Sequence, residues 1–232
     1  MLVSIRSRCL PAVLIVAACL GKPVGAPAAE PAESPEQRRQ EIERLIEQLA
    51  SENPKPKNIE DSDRERVTVF PPGYSRDKQK KVYQAADDLR KFGIDAFPQL
   101  IDHFDDRRYS YSERAMNARS DSLFYQESVG AHCRKILEGI LYIYESWGEP
   151  GSFGPTYFGY PELQSKTTAQ RWWAKNKDKP LWRLQADILQ WAIDLELRTK
   201  QDDKYNAAVR SKRAVEANRK KLDKLLATKK PM

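Results

Sequence analysis

Between residues 75 and 106 apolar side chains return twice at helical spacing, with a single glycine between the two runs. Val82, Ala85, Ala86, Leu89 and Phe92 share one face of a helix that Ser75 can cap. Gly93 follows where a helix end favours a left-handed residue. Asp95 then stands as the cap of a second helix, whose inward residues are Phe97, Leu100, Ile101 and Phe104. So short a connection forces the two helices antiparallel, and the small pair Ala85-Ala86 lets them approach closely. A chain that contains such an αα-hairpin has to bury its apolar stripes by packing helix on helix.

The flanking sequence carries the same period. Ser34, Pro35 and Gln37 read as a capping box with proline at the first helical position, and Ile42, Leu45, Ile46 and Leu49 recur at i, i+3, i+4, i+7. That helix is expected to stop near Asn53-Pro54. Residues 53–74 form a polar linker in which Val67 to Phe70 could be extended. Residues 107–127 read as a long loop or a poor hairpin, Tyr109-Ser110-Tyr111 against Ser122 to Tyr125. Ser128 opens a further helix with Val129, Cys133, Ile136, Leu137, Ile140, Leu141 and Tyr144 on one broad stripe, the mark of a central core helix. Glycines and prolines exclude regular structure from 147–161. Thr167 with Gln170 is expected to box a short helix carrying Trp172 and Trp173. Pro180 starts the next, with Leu181, Leu184, Ile188, Trp191, Ala192 and Leu195 facing inward, and 203–229 reads as one long charged helix.

The stretch from Ala85-Ala86-Asp87-Asp88-Leu89-Arg90-Lys91-Phe92-Gly93 through Leu100-Ile101-Asp102 to Asp105-Asp106 resembles a HEAT repeat. The resemblance covers about one unit, residues 76–106, with no second clean copy, whereas a solenoid needs about three. It implies a helical pair of the kind used mainly as a protein-binding scaffold, and it transfers no binding residues. The expected fold is therefore all-α: an irregular HEAT-like hairpin array or orthogonal bundle over 75–199, with an N-terminal helix and linker over 30–74 and a basic C-terminal helix over 200–232.

Residues 1–29 read as an export signal. Arg6 and Arg8 precede a short apolar run from Cys9 to Leu20, and Ala26-Pro27-Ala28 offers small residues at cleavage spacing after Ala28. The run is broken by Pro11 and falls short of the roughly 20 apolar residues that a spanning helix needs. Val16-Ala17-Ala18-Cys19 resembles a bacterial lipoprotein box, which implies a lipid anchor on Cys19; simple cleavage after Ala28 is the other ending. Either way the expected location is outside the cytoplasm, in the periplasm, at the cell envelope or in the medium. Past Ala28 only Cys133 remains, so no disulfide can staple the domain, and a buried thiol is the expected state of that residue.

The charge is uneven. Residues 198–232 hold 12 basic and 4 acidic side chains, a balance of +8, and the first 29 residues hold three basic ones, so of the chain's +7 the segment 30–197 carries −4. The basic character belongs to the tail, where residues 204–232 can contact an anionic surface. An exported body of this charge is not expected to bind nucleic acid.

Candidate chemistry is sparse. HExxH, CxxC, GxSxG, P-loop and GxGxxG patterns are absent. Asp102-His103-Phe104-Asp105-Asp106 has metal-compatible side chains, but neighbours on a helix diverge by about 100°. His132-Cys133 has the same geometry and no third orienting group. Glu138, Glu145, Glu149 and Glu162 flank the aromatic-glycine segment and could pair across a cleft. That segment, with Trp147, Phe153, Tyr157, Phe158 and Tyr160, is the best ligand or partner surface, unless its rings lid the core. The expectation is an exported, non-catalytic binding or scaffold protein with a protein partner and no metal or cofactor. The alternative is an exported hydrolase acting on polysaccharide or peptide through residues 147–161.

Overall fold

The computed structural model describes residues 34–60, 66–114, 123–142, 160–199 and 206–232. Among them the chain is mostly helical, with seven α-helices, but two small antiparallel hairpins make it not purely all-α. Residues 1–29, read from sequence as an export signal, lie outside the described residues, and with them Cys19 and Ala28.

Helix α1 (Pro35–Gln48) begins on the expected box: Gln37 N–H donates to Ser34 Oγ at 3.2 Å, and Ser34 N–H donates to Gln37 Oε1 at 2.9 Å. Its Ile42, Leu45, Ile46 and the following Leu49 join the core. It ends sooner than Asn53-Pro54, because Asn53 has another role. The buried amide of Asn53 donates to Ser75 C=O at 2.9 Å and accepts from Ser75 N–H at 2.8 Å, tying the linker to the start of α2 (Arg76–Lys91). Val82, Ala85, Ala86 and Leu89 of α2 are buried, and Gly93 takes the left-handed conformation at φ +56°.

Asp95 does not cap the second helix of the pair. Gly93–Ala96 form a 3-10 turn, and α3 (Phe97–Asp102) starts two residues later with Pro98 in its first turn, where a missing N–H costs nothing. The Asp95 carboxylate instead receives Arg38 of α1 at 2.7 Å.

The strands fall where sequence left an extended segment at Val67–Phe70 and a hairpin within 107–127 open, with Tyr109 and Tyr111 paired to Ser128 and Glu127 rather than to Ser122–Tyr125. β1 (Lys57–Glu60) pairs with β2 (Arg66–Val69), and β3 (Tyr109–Arg114) pairs with β4 (Phe124–Ser128). The hairpins meet where Phe124 N–H donates to Thr68 Oγ1 at 2.8 Å and the Gln126 amide donates to Asn58 Oδ1 at 3.1 Å. The β3–β4 register shifts between Tyr109 and Tyr111, so Ser110 is the extra residue of a bulge. Ser110, Tyr111 and Ser112 are all buried in succession, which no regular strand with one solvent face would do.

Helix α4 (Val129–Leu141) is central as expected, with Val129, Cys133, Ile136, Leu137 and Leu141 in the core. Its first free N–H groups all find acceptors: Val129 on Arg108 C=O and Gly130 on Asp106 C=O, both at 2.9 Å, and Ala131 on Ser128 Oγ at 3.1 Å. Gly130 also lies so close to α3 that a β-carbon there would come within 2.2 Å of Phe104 C=O.

Helix α5 (Lys166–Asn176) is boxed by Ser165 and Thr168, two residues before the expected Thr167 pair at its start. This register sets Ala169 and Trp172 inward. Helix α6 (Leu181–Thr199) packs against α7 (Asn206–Thr228), and Val215 and Leu225 are buried in their seam with Asn218. The buried Gln185 of α6 donates to Ile140 C=O at 3.0 Å and accepts from Met232 N–H at 3.1 Å, which joins α4, α6 and the segment after α7. Past α7, Lys229 sits at φ +49°, where its N–H donates to Leu225 C=O at 2.7 Å. An L-residue is strained there and glycine is not, so Lys229→Gly is expected to raise stability by about 0.5–1 kcal/mol in urea unfolding. An unchanged or lower midpoint would refute that cap assignment.

Candidate functional site

The 3-10 turn Pro161–Leu163, α5 and the first half of α6 enclose an open cleft of about 510 Å³. Tyr160 forms its aromatic wall. The Tyr160 ring meets Trp191 edge-on, at 5.1 Å between centroids and 83°, and Trp172 at 6.5 Å and 80°. Trp172 is 7% exposed, its ring held between Tyr160 and the Phe97–Trp173 pair of the core. Leu184 and Ile188 of α6 line the cleft but are buried, at 1% and 2% exposure. Burial, then the charge of Glu162, pushes the Tyr160 phenol above its ordinary pKa, so it stays a neutral hydroxyl at physiological pH.

The rim is charged. Arg171 and Lys175 lie one turn apart on the exposed side of α5, and Lys179 follows in the α5–α6 turn. Lys179 Nζ donates to Asp187 Oδ2 at 2.7 Å, and Arg183 approaches Asp187 Oδ1 at 3.2 Å, so both oxygens of that carboxylate are engaged. Arg171 and Lys175 make no ion pair among the described residues. Glu162 is exposed at the edge of the same cleft. Arg171 Nε donates to Thr167 C=O at 3.4 Å, and Arg171 with Lys175 places positive charge at the rim of the cleft, which suits a ligand that carries an anionic group. The volume lies in the usual range for small ligand sites, about 300–1,000 Å³.

Of the five aromatic residues that sequence singled out, Tyr160 is described, and it lines this cleft while also packing on the core. Trp147, Phe153, Tyr157 and Phe158 lie outside the described residues, as do Glu145 and Glu149. Glu138 is half-buried on α4, where loss of water raises its pKa. It is not among the residues lining the cleft.

The histidines make packing and polar contacts. His103 Nε2 lies 3.2 Å from Glu43 Oε2 and its Nδ1 lies 3.7 Å from Asp106. Asp106 also receives Arg108 at 2.6 Å, and Arg108 reaches on to Glu47 of α1 at 2.6 Å. The Arg108 guanidinium holds the carboxyls of both Glu47 and Asp106 below their usual range. Asp102 accepts from the Gln170 amide at 2.9 Å. Among the described residues no group of three or more metal-ligating side chains converges.

His132 and Cys133 are both buried, at 3% and 0% exposure. Burial pushes the Cys133 thiol well up and the His132 imidazole down to about 3, so the thiol is protonated and the imidazole neutral. Sequence missed the true partner of His132: the bulge residue Ser110, whose Oγ lies 3.0 Å from Nδ1. That hydroxyl is fully buried, so the pair cannot reach a substrate in this conformation.

Among the described residues no helix is long and apolar enough to cross a membrane. Comparison of the chain with protein-family models, curated proteins and solved structures finds no match in any of the three.

Proposed function

We propose that the protein is an exported, non-catalytic binding or scaffold protein of the cell envelope, acting by protein–protein contact at the cleft between α5 and α6. The reading of residues 1–29 as a signal, with Cys19 as a possible lipid anchor and Ala28 as the other ending, supplies the location. The pair α2 and α3 is read as a HEAT-like hairpin within an irregular helical array, a scaffold element rather than a solenoid. The single observation that carries the proposal is the open cleft itself, whose rim carries Arg171 and Lys175 without an ion-pair partner among the described residues. The exposed Arg219, Lys220 and Lys224 of α7 offer a second, weaker contact for an anionic surface. The inert state of His132 and Cys133 supports a binding role over nucleophilic chemistry at that pair.

A photo-crosslinking residue placed at Lys175 of the exported protein is expected to capture one discrete adduct in the envelope. The same residue at Lys80, on the outer face of α2, is expected to capture none. A smear, or equal capture from both positions, would overturn the proposal. The hydrolase reading stands second because two carboxylates, Glu162 and Asp187, line the same cleft. A polysaccharide- or peptide-cleaving activity abolished by Glu162→Gln would put it first.

A further inference from the structure

We infer that the β3–β4 hairpin is an acid-operated latch: a proton taken up by His132 breaks the contact at the Ser110 bulge and lifts the hairpin off α4 while the helices stay folded. The inference is independent of what the cleft binds. It turns on the side chain in the hairpin's seam whose charge ordinarily changes between pH 7 and 5.

The seam is built round that ring. His132 is 3% exposed, and the bulge residue Ser110 meets it, with Oγ 3.0 Å from Nδ1. Tyr111 leans on the ring at 4.5 Å between centroids and 55°. Neither neighbour is an anion. The charge that reaches the ring from α2 is Arg90, and the charge from α4 itself is Lys135. Both are positive. The hairpin's own carboxylates, Glu113 and Glu127, are held on Lys135 Nζ at 2.8 and 3.1 Å. Asp106 and Glu43 act on the Cys133 thiol and not on the ring. A buried imidazolium would therefore stand among cations, with one hydroxyl as its hydrogen-bond partner among the described residues. The closed hairpin excludes the proton.

The hairpin is the part that yields. A two-stranded hairpin is marginal by itself. Its hold on the body consists of separate polar contacts: the Gln79 amide on Ser112 C=O at 3.2 Å, Lys135 Nζ on the Tyr111 hydroxyl at 3.0 Å, and Phe124 N–H on Thr68 Oγ1 at 2.8 Å. Helix α4 keeps its stripe from Val129 to Leu141 in the core whether or not β3 covers His132. Val129 N–H on Arg108 C=O and Gly130 N–H on Asp106 C=O pin the base of the hairpin and make it the hinge. Opening uncovers Tyr111 and Phe124. It also frees the Phe124 N–H and C=O that Thr68 and Asn58 now occupy, so acid presents an unpaired strand edge.

The size of the effect follows from one proton. In the open hairpin His132 titrates near 6.5, and in the closed one it stays neutral above pH 5, so the open-to-closed ratio rises about 25-fold from pH 7 to pH 5. Native-state hydrogen exchange of the full chain reads this ratio, as the protection of each amide relative to its intrinsic rate. At pH 7 the amides of Tyr109–Arg114 and Phe124–Ser128 are expected to be at least about tenfold less protected than the slowest amides of α2 and α4. By pH 5 their protection is expected to fall by about another 25-fold. His132→Gln is expected to hold it within about threefold across the same range. Ser110→Ala keeps the imidazole, so its strands start less protected yet still lose about 25-fold, and it decides the matter if His132→Gln does not fold. Strand amides as protected as the slowest helix amides would mean that only global unfolding hydrates His132, and the latch falls. Strand protection that is unchanged from pH 7 to 5, or that falls equally in His132→Gln, would overturn it as well.

Discussion

Gly130→Ala is expected to cost about 3 kcal/mol, enough to lower the urea midpoint sharply, and Gly130→Val to prevent folding altogether. In an exposed helix the same glycine-to-alanine change would stabilise by up to about 1 kcal/mol. Here the sign reverses because of what the new methyl would meet. It would stand 2.2 Å from Phe104 C=O, 2.7 Å from the carbon of that carbonyl and 2.9 Å from His103 C=O. All three are backbone atoms in the turn that follows α3, so no rotamer change can clear them. The only relief is to move α4 away from α3, and that move is tied to two further bonds. Val129 N–H on Arg108 C=O and Gly130 N–H on Asp106 C=O would both stretch, leaving helix-end donors unsatisfied. Overpacking against fixed neighbours costs about 1–3 kcal/mol, and a lost buried hydrogen bond adds to it. Chemical unfolding of the two proteins decides the matter. A Gly130→Ala protein as stable as the parent would mean that α3 and α4 do not approach as closely as described.

Gly130 also shows where sequence reading stops. The broad stripe of α4 from Val129 to Leu141 is legible because burial repeats with the helical period, and Ser34, Ser75 and Ser128 are legible as caps because their side-chain oxygens have local work to do. A glycine inside such a stripe gives no sign that a carbonyl from a different helix lies against it. The hairpins are half legible for a different reason. Tyr109 to Ser112 alternate aromatic and polar residues, which suggests a strand, but the bulge at Ser110 buries three successive residues and shifts the register, so the partner of Tyr109–Tyr111 is not Ser122–Tyr125. Asp95 and Thr167 fail as caps because a nearby competitor wins: Pro98 in the first turn of α3, and Ser165 two residues ahead.

The candidate site is half legible on the same grounds. Aromatic residues beside glycine and proline draw attention from composition alone, and Tyr160 does line the cleft. Arg171, Lys175 and Lys179 recur every four residues, but on a surface helix that pattern reads as a solvated face. What sets it apart is the cleft beside it, lined by Leu184, Asp187 and Ile188 of α6, which only the tertiary arrangement reveals. Asp187 adds a second hidden element. By engaging Lys179 it leaves Arg171 and Lys175 as the uncommitted pair.

The second large effect is a loss of stability in mild acid that belongs to one side chain. His132 is held neutral in the fold, with its pKa pushed down to about 3, first by burial and then by the charges of Arg90 and Lys135. In the unfolded chain the same imidazole titrates near 6.5. A group depressed on folding contributes stability that is present above its unfolded pKa and is lost as pH falls toward its folded one. The window is therefore pH 6.5 down to 3. Each pH unit within it is worth about 1.4 kcal/mol, so about 2 kcal/mol is lost by pH 5, before most carboxylates begin to protonate. Urea unfolding at pH 7, 6 and 5 measures this directly, as the uptake of one proton on unfolding. His132→Gln keeps His103, so any difference between the two pH profiles belongs to position 132. The variant should be less stable at pH 7, because Ser110 loses its ring partner, yet it should lack the loss of about 1.4 kcal/mol per pH unit that His132 adds between pH 6.5 and 5. Parallel profiles would mean that His132 is open to water or to a proton-accepting partner. The packing argues otherwise: Tyr111 lies 4.5 Å from the imidazole, Lys135 sits above the outer side of Tyr111, and the bulge turns Ser110 inward to meet Nδ1. Protonation would bring a second positive charge close to Lys135, with no carboxylate against the ring among the described residues, and opening the β3–β4 hairpin would hydrate it.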